Sequence, residues 1–171
     1  MNRDVTYDLY RADWTYEHRA ALRRLLAGAQ TANASDELAA SGFAGVSLGL
    51  EEVLRLAREL AAFSVPTMIV EDKYRTPRVR LETAHTIAER AIHDTVTETF
   101  PTEAFEPVRF LREAPPWWTF FAPSPTLDEK GHIPGGVLCS VDKHDGRIVD
   151  APAQERAYQL MHSWRTSPGG R

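Results

Sequence analysis

Apolar residues recur at helical spacing in three segments of the first hundred residues. The first follows Asp13 and ends at Gly28, the second starts from Ser47 as its cap, and the third is closed by Pro101. Their inward positions are Trp14, His18, Leu22, Leu25 and Leu26; Leu50, Val53, Leu54, Ala57, Leu60 and Ala61; and Leu81, Ala84, Ala88, Ala91, Ile92 and Thr95. The pattern predicts three amphipathic helices.

Between these helices the pattern is less regular. Residues 29–46 are rich in Ala, Ser, Asn and Gly, which is typical of a loop and predicts the most mobile segment of the chain. At most one short helix, around Asp36 to Ala40, fits there. Thr67-Met68-Ile69-Val70 predicts a short strand before the third helix.

After Pro101 the spacing changes to that of strands. Strand-like runs occur at Val108 to Phe110, at Trp117 to Phe121 and at Val137 to Val141. Asp145-Gly146 predicts a turn that leads into residues 147–149 as the second arm of a hairpin. The chain then returns to helical spacing after Asp150 and Pro152, with an inward face made of Ala157, Leu160, Met161 and Trp164.

Helices that come first and strands that follow predict an α+β fold. We expect N-terminal helices, then a helix packed on a small curved antiparallel sheet, then a C-terminal helix. Residues 1–76 are predicted to be a helical N-terminal extension, 77–165 the helix and sheet domain, and 166–171 a flexible tail. The pattern leaves the oligomeric state open.

Composition excludes several classes of protein. The formal net charge is −4 and the basic residues are scattered singly, so no stripe of Lys and Arg predicts binding to nucleic acid. The single cysteine excludes a disulfide framework. No apolar run has the length of a signal peptide or a membrane span, so we expect a cytoplasmic protein that does not contact a membrane.

One group of residues on the third helix has the spacing of a metal site. Glu82, His85, Glu89 and His93 share a face, since they lie within roughly 80° at about 100° per residue. Di-iron bundles need a second Glu-x-x-His copy and further carboxylates on neighbouring helices, and the predicted helices of this chain carry a single copy. The favoured interpretation is therefore a solvated stripe with ion pairs, and we predict no metal or other cofactor.

Cys139 is the only candidate thiol nucleophile, and it would need a base such as His132 or His144 beside it. Its place between Val137 and Val141 on an alternating strand favours a small buried apolar residue instead. With no complete catalytic motif, the sequence favours a binding protein over an enzyme.

The aromatic run from Trp117 to Phe121 supplies the candidate binding residues. Its four large rings cannot all point to the same side of a strand, so at least one pair is either packed beneath the helices or presented to a partner. Acidic residues border the same loops. The predicted partner-binding residues are Trp117, Phe121, Asp128, Glu129 and Asp142.

Three features of the C-terminal half resemble the immunity protein 35 family. They are the aromatic run Trp117-Trp118-Thr119-Phe120-Phe121, the loop through Gly131, and the closing segment from Val141 to Val149. Asp145 stands where that family tends to have Thr. The resemblance covers residues 80–152 and implies a bacterial cytoplasmic protein that binds and blocks a toxin domain, with no catalytic residues of its own.

Two other hypotheses fit the same pattern. In the first, the curved sheet and its helices enclose a cavity lined by Trp118, Phe120 and Cys139, which binds a small molecule or catalyses a reaction. In the second, the chain is an accessory subunit that docks on a larger assembly through its amphipathic N-terminal helices.

Overall fold

A computed structural model describes residues 5–28 and 35–165. In chain order the elements are β1 (Tyr7–Tyr10), α1 (Tyr16–Ala27), α2 (Asp36–Ala40), α3 (Leu50–Ala62), β2 (Met68–Glu71), α4 (Leu81–Thr99), β3 (Arg109–Glu113), β4 (Trp117–Pro123), α5 (Pro125–Glu129), β5 (Gly136–Asp142) and α6 (Ala151–Met161). Single 3-10 turns lie at Asp72–Arg75 and Ser163–Arg165. The fold is α+β, as predicted.

The chain divides into two compact units. Of the described residues, 5–28, 35–75 and 155–165 form the first unit, and 76–154 form the second. Residues 155–165, which sequence spacing grouped with the sheet, belong with the first unit because Leu160 and Trp164 pack against its core. Helical spacing shows that a face is buried but not which core covers it. The predicted tail, 166–171, lies outside the described residues.

The first unit is built on a two-stranded antiparallel ribbon. β1 pairs with β2, with Leu9 opposite Ile69 at its centre. The core that surrounds these two residues consists of Leu22, Leu26, Ala44, Val46, Leu48, Val53, Leu56, Ala57, Leu60 and Val65. α1 and α3 therefore bury most of the stripes that their spacing predicts, but Leu50, predicted to face inward, is 41% exposed at the start of α3. β1 was missed because four residues give too short an alternation and their partner lies 60 positions away.

The helix ends follow local hydrogen bonding. Thr15 caps α1, since its hydroxyl accepts from the backbone N–H of His18 at 3.2 Å, and Gly28 ends the helix as predicted. Ser47 was predicted to cap α3, but the cap is Gly49. Ser47 has a φ of 45° and its hydroxyl donates to the Asp72 carboxylate at 3.0 Å, so it is committed elsewhere.

The second unit packs one long helix on a three-stranded sheet. The strand order is β3-β4-β5 and both pairings are antiparallel, with Phe120 opposite Cys139. Ala84, Ala88 and Ile92 of α4 share a buried core with these two residues. The small alanines allow the helix to approach the sheet closely. Leu81 and Thr95, predicted to face inward, are exposed near the two ends of the helix.

The predicted closing hairpin forms only in part. Gly146 has a φ of 76°, and its N–H donates to Asp142 O at 3.0 Å, so the turn is present. The returning arm contributes a single antiparallel bridge, between Val141 and Ile148, rather than a strand. Asp150 then ends the arm, since its carboxylate accepts from Ala153 N at 2.7 Å at the start of α6.

A buried carboxylate connects three separated segments of the first unit. Asp8 on β1 is fully buried and accepts from the backbone N–H groups of Leu9, Gly45 and Val46 at 2.7 to 3.1 Å. The Arg75 Nε donates to its other oxygen at 2.5 Å. Asp8 thereby fixes β1 to the segment before α3 and to the turn after β2.

Removal of this carboxylate should destabilise the protein strongly. Asp8→Asn leaves the Arg75 guanidinium without its counter-charge, and breaking a buried pair costs about 3–5 kcal/mol of unfolding free energy. Asp13→Asn is the matched control, because Asp13 pairs with Arg11 at 3.0 Å but has a side chain 77% exposed. We expect the control to lose less than about 1 kcal/mol. Urea unfolding followed by circular dichroism measures both, and equal losses would contradict this role for Asp8.

Candidate functional site

The predicted partner-binding residues fall into two groups. Trp117 and Asp142 are cross-strand partners at one end of the β4–β5 pair, whereas Phe121 lies opposite Leu138 near the other end. Phe121 lies four residues beyond Trp117 along β4, which is about 13 Å. The five residues therefore do not form one contiguous site.

Trp117 and Asp142 serve mainly the structure of the sheet. Trp117 is 7% exposed and offers a partner little of its ring. The Asp142 carboxylate accepts from the N–H groups of His144 at 2.7 Å and Asp145 at 3.1 Å, so it shapes the turn that follows β5.

Phe121 lies in a close-packed corner of the sheet. Its ring occupies space that a side chain at position 136 would need, since a Cβ there would lie 2.7 Å from the ring and 2.2 Å from Ala122 O. Gly136 is required for this approach. The guanidinium of Arg109 lies 5.9 Å from the centre of the same ring, on the strand opposite. Phe121 is therefore half-buried and held in place from both sides.

The segment from α5 to β5 is fixed by hydrogen bonds. The Ser124 hydroxyl accepts from Leu127 N at 3.4 Å, and Ser124 N donates to Gly135 O at 2.9 Å. His132 N donates to Leu127 O at 3.0 Å. The segment thus has a defined conformation although it contains little regular structure.

Glu103 anchors the same segment from outside. Its carboxylate accepts from Thr126 Oγ1 at 2.5 Å and from the Lys130 ammonium. The hydrogen bond from Lys130, followed by that from Thr126, holds the pKa of Glu103 below its ordinary value. Because the Lys130 charge is paired with Glu103, it does not offset the negative charges of Asp128 and Glu129 on α5.

This fixed segment presents an apolar residue that the sequence did not single out. Ile133 is 97% exposed, two residues before Gly135, against which the Asp128 side chain packs. Leu138, the strand partner of Phe121, is 44% exposed. Asp128 and Glu129 are exposed on α5. We call the set Phe121, Asp128, Glu129, Ile133 and Leu138 the α5 surface.

The outer edge of the sheet is a weaker candidate. β3 is exposed along its whole length, but its register shifts between Phe110 and Arg112. A bulge and charged side chains such as Arg109 and Glu113 are the devices by which edge strands avoid pairing with other chains. The α5 surface is not an edge strand, and its exposed apolar residues include Ile133 and Leu138.

The candidate metal ligands do not form a site. His85 Nε2 lies 3.0 Å from the Val108 carbonyl, to which it donates, and its Nδ1 lies 3.9 Å from Glu89. Glu82 and His93 are exposed. Among residues 5–28 and 35–165, no three His, Cys, Asp or Glu side chains are placed to hold a metal ion together.

Cys139 is a core residue, as its alternation predicts. It is buried with Phe120 against α4, and burial raises the pKa of its thiol to about 11. Trp118 packs against the same cluster and its indole N–H donates to Val79 O at 3.4 Å. The three residues that were predicted to line a cavity are thus packed against their neighbours.

Lys143 is a buried charge that the sequence did not indicate. Its Nζ lies 2.5 Å from a Glu113 oxygen and 4.1 Å from the centre of the Trp118 ring. Burial lowers the pKa of Lys143, and the hydrogen bond to Glu113 opposes that shift. The contacts hold the end of β5 to β3 and β4 and leave the amine inaccessible.

Comparison with protein-family models, with curated proteins and with solved structures finds no match for this chain. The resemblance to the immunity protein 35 family therefore remains a hypothesis. Within the described ranges, no helix combines the length and the apolar character needed to cross a membrane.

The state of Cys139 gives a direct test of this geometry. Because its pKa is about 11, the thiol is protonated at pH 8, and its side chain is buried. We expect no reaction with an aromatic disulfide reagent in the folded protein at pH 8, and one thiol per chain after unfolding in urea. Rapid labelling of the folded protein would show that the second unit opens at this strand.

Proposed function

We propose that this chain is a non-catalytic binding protein that contacts a protein partner through the α5 surface. The observation that carries the proposal is Ile133, an aliphatic side chain 97% exposed on a segment whose backbone is fixed by hydrogen bonds. A fixed segment loses little conformational entropy when it binds. More of the free energy gained by burying its apolar residues therefore appears as affinity.

The surroundings of Ile133 have the layout of a small interface. Phe121, whose ring lies against Gly136, and its strand partner Leu138 add partly exposed apolar side chains beside this segment, and the exposed Asp128 and Glu129 add acidic ones. Since Lys130 is paired with Glu103, these acidic side chains are not neutralised from that side. The complementary partner carries an apolar pocket bordered by basic residues.

The class of partner is suggested by the resemblance described above. Immunity proteins bind and block a toxin domain and need no chemistry of their own. A buried, protonated Cys139 and the lack of an assembled metal site among the described residues are compatible with that role. We therefore propose a toxin domain as the partner.

Replacement of the exposed anchor tests the binding surface. Tagged chain is used to capture partners from lysate of the source organism, and the captured protein is then purified for calorimetric titration. We expect Ile133→Ser to weaken binding about tenfold or more, because an apolar anchor is worth at least about 1.4 kcal/mol. The matched control is Phe63→Ser, which removes an apolar side chain 64% exposed on the first unit.

Two results would count against the proposal. If both variants bind as the original chain does, the α5 surface is not the interface. If the captured protein is harmless when expressed alone in bacteria, the partner is not a toxin. Growth arrest that co-expression of this chain relieves, and that co-expression of Ile133→Ser does not, is the expected outcome.

A further inference from the structure

One face of the three-stranded sheet is uncovered beside the α5 surface. Phe120 and Cys139 are cross-strand partners that pack against α4. The next pair along the strands, Phe121 and Leu138, therefore points to the opposite side, which we call the outer face. On this face Thr119 is 2% exposed, whereas Leu138 is 44% exposed. The outer face is thus accessible at its Phe121 end.

The register of β3 places two arginines on the outer face. Strict alternation would put Arg109 and Arg112 on opposite sides of the strand, since they are three residues apart. Arg109 lies opposite Phe121 on β4. The pairing then shifts, and Arg112 lies opposite Thr119. Phe121 and Thr119 share a face, so both arginines share it with them. Both are exposed, and neither has an ion pair among the residues that the structure describes.

Close contacts join these arginines to the α5 surface. The Arg109 guanidinium lies 5.9 Å from the centre of the Phe121 ring. The same ring lies against Gly136, and the Asp128 side chain lies against the adjacent Gly135. A continuous track therefore runs from Arg109 over the Phe121 ring and two glycines to Asp128.

The charge changes sign along this track. Asp128 and Glu129 are exposed at the α5 end, and Arg109 and Arg112 are exposed at the β3 end. The Phe121 ring lies between the two ends. Such a surface is complementary to a copy of itself turned by 180° about an axis through the middle, because each acidic end then meets a basic end. A partner that is basic throughout would be repelled by the arginines.

We propose that two copies of this chain associate through the α5 surface and the adjoining arginines. Two-fold symmetry brings Asp128 of each copy to Arg109 of the other. The same contact removes Ile133 and Leu138, which are 97% and 44% exposed in the single chain, from water. Self-association then covers the surface that binds the protein partner until the partner displaces the second copy. This regulatory role rests on the proposed function, whereas the association itself does not.

Sedimentation equilibrium of the full chain from about 1 to 300 µM measures the association. We expect the average mass to rise from 19.2 kDa, the mass of one chain, towards twice that value. Arg109→Glu and Asp128→Lys should each weaken association about tenfold or more, because two-fold symmetry makes one substitution act at two contacts. The matched controls are Arg90→Glu and Asp94→Lys, which change exposed charges of α4 on the other side of the sheet and should leave association unchanged.

A mixture of the two variants tests the pairing directly. When Arg109→Glu meets Asp128→Lys, the new carboxylate of one chain faces the new ammonium of the other, and the second contact keeps its original pair. We expect association in the mixture to recover to near that of the original chain. The double variant should recover in the same way. If Arg109→Glu does not fold, as judged by circular dichroism, Arg112→Glu takes its place.

A mass of 19.2 kDa at every concentration would overturn the proposal. So would association that Arg109→Glu and Asp128→Lys leave unchanged, or that the mixture does not recover, because the chains would then meet through another surface. No protein partner enters this test. A monomeric chain whose partner binding is weakened by Ile133→Ser would remove the self-association and keep the proposed function, and the opposite pair of results would do the reverse.

Discussion

The first unit depends on one buried carboxylate. Asp8 has its charge balanced by Arg75 and its oxygens occupied by backbone N–H groups of Leu9, Gly45 and Val46. A charge removed from water is tolerated only when it is paired and hydrogen-bonded, so the segments that supply these groups cannot separate without a large cost. The same constraint fixes β1 to the segment before α3 and to the turn after β2.

The sequence predicted what depends on neighbours along the chain. α1, α3 and α4 bury stripes at 3.6-residue spacing, and the Asp145-Gly146 turn needs only a residue that tolerates positive φ. Prediction from the sequence failed where the contact that determines the structure is made with a residue far along the chain. Ser47 resembles a helix cap, but Asp72, which is 25 positions later, takes its hydroxyl. β1 is likewise defined by its partner strand.

The residues of the candidate site also divide into those that the local sequence places and those that only distant contacts place. Asp128 and Glu129 could be placed on an exposed segment because acidic residues among turn formers are rarely buried. Ile133 had no periodic neighbours that would show whether it points inward, and only the hydrogen bonds around Ser124 decide that it does not. Trp117, which was predicted to face a partner, is 7% exposed. Alternation along a strand shows that its two faces differ, but not which of them is covered.

The first unit is discontinuous, with residues 76–154 inserted between its two parts. During synthesis on the ribosome the second unit is complete once residue 154 has emerged, whereas the first unit still waits for Leu160 and Trp164 to cover its core. The order of maturation is thus the reverse of the order of translation for most of the first unit. A premature stop after α6 begins would release a chain with an intact sheet and an uncovered N-terminal core, which is the kind of species that chaperones retain and proteases remove.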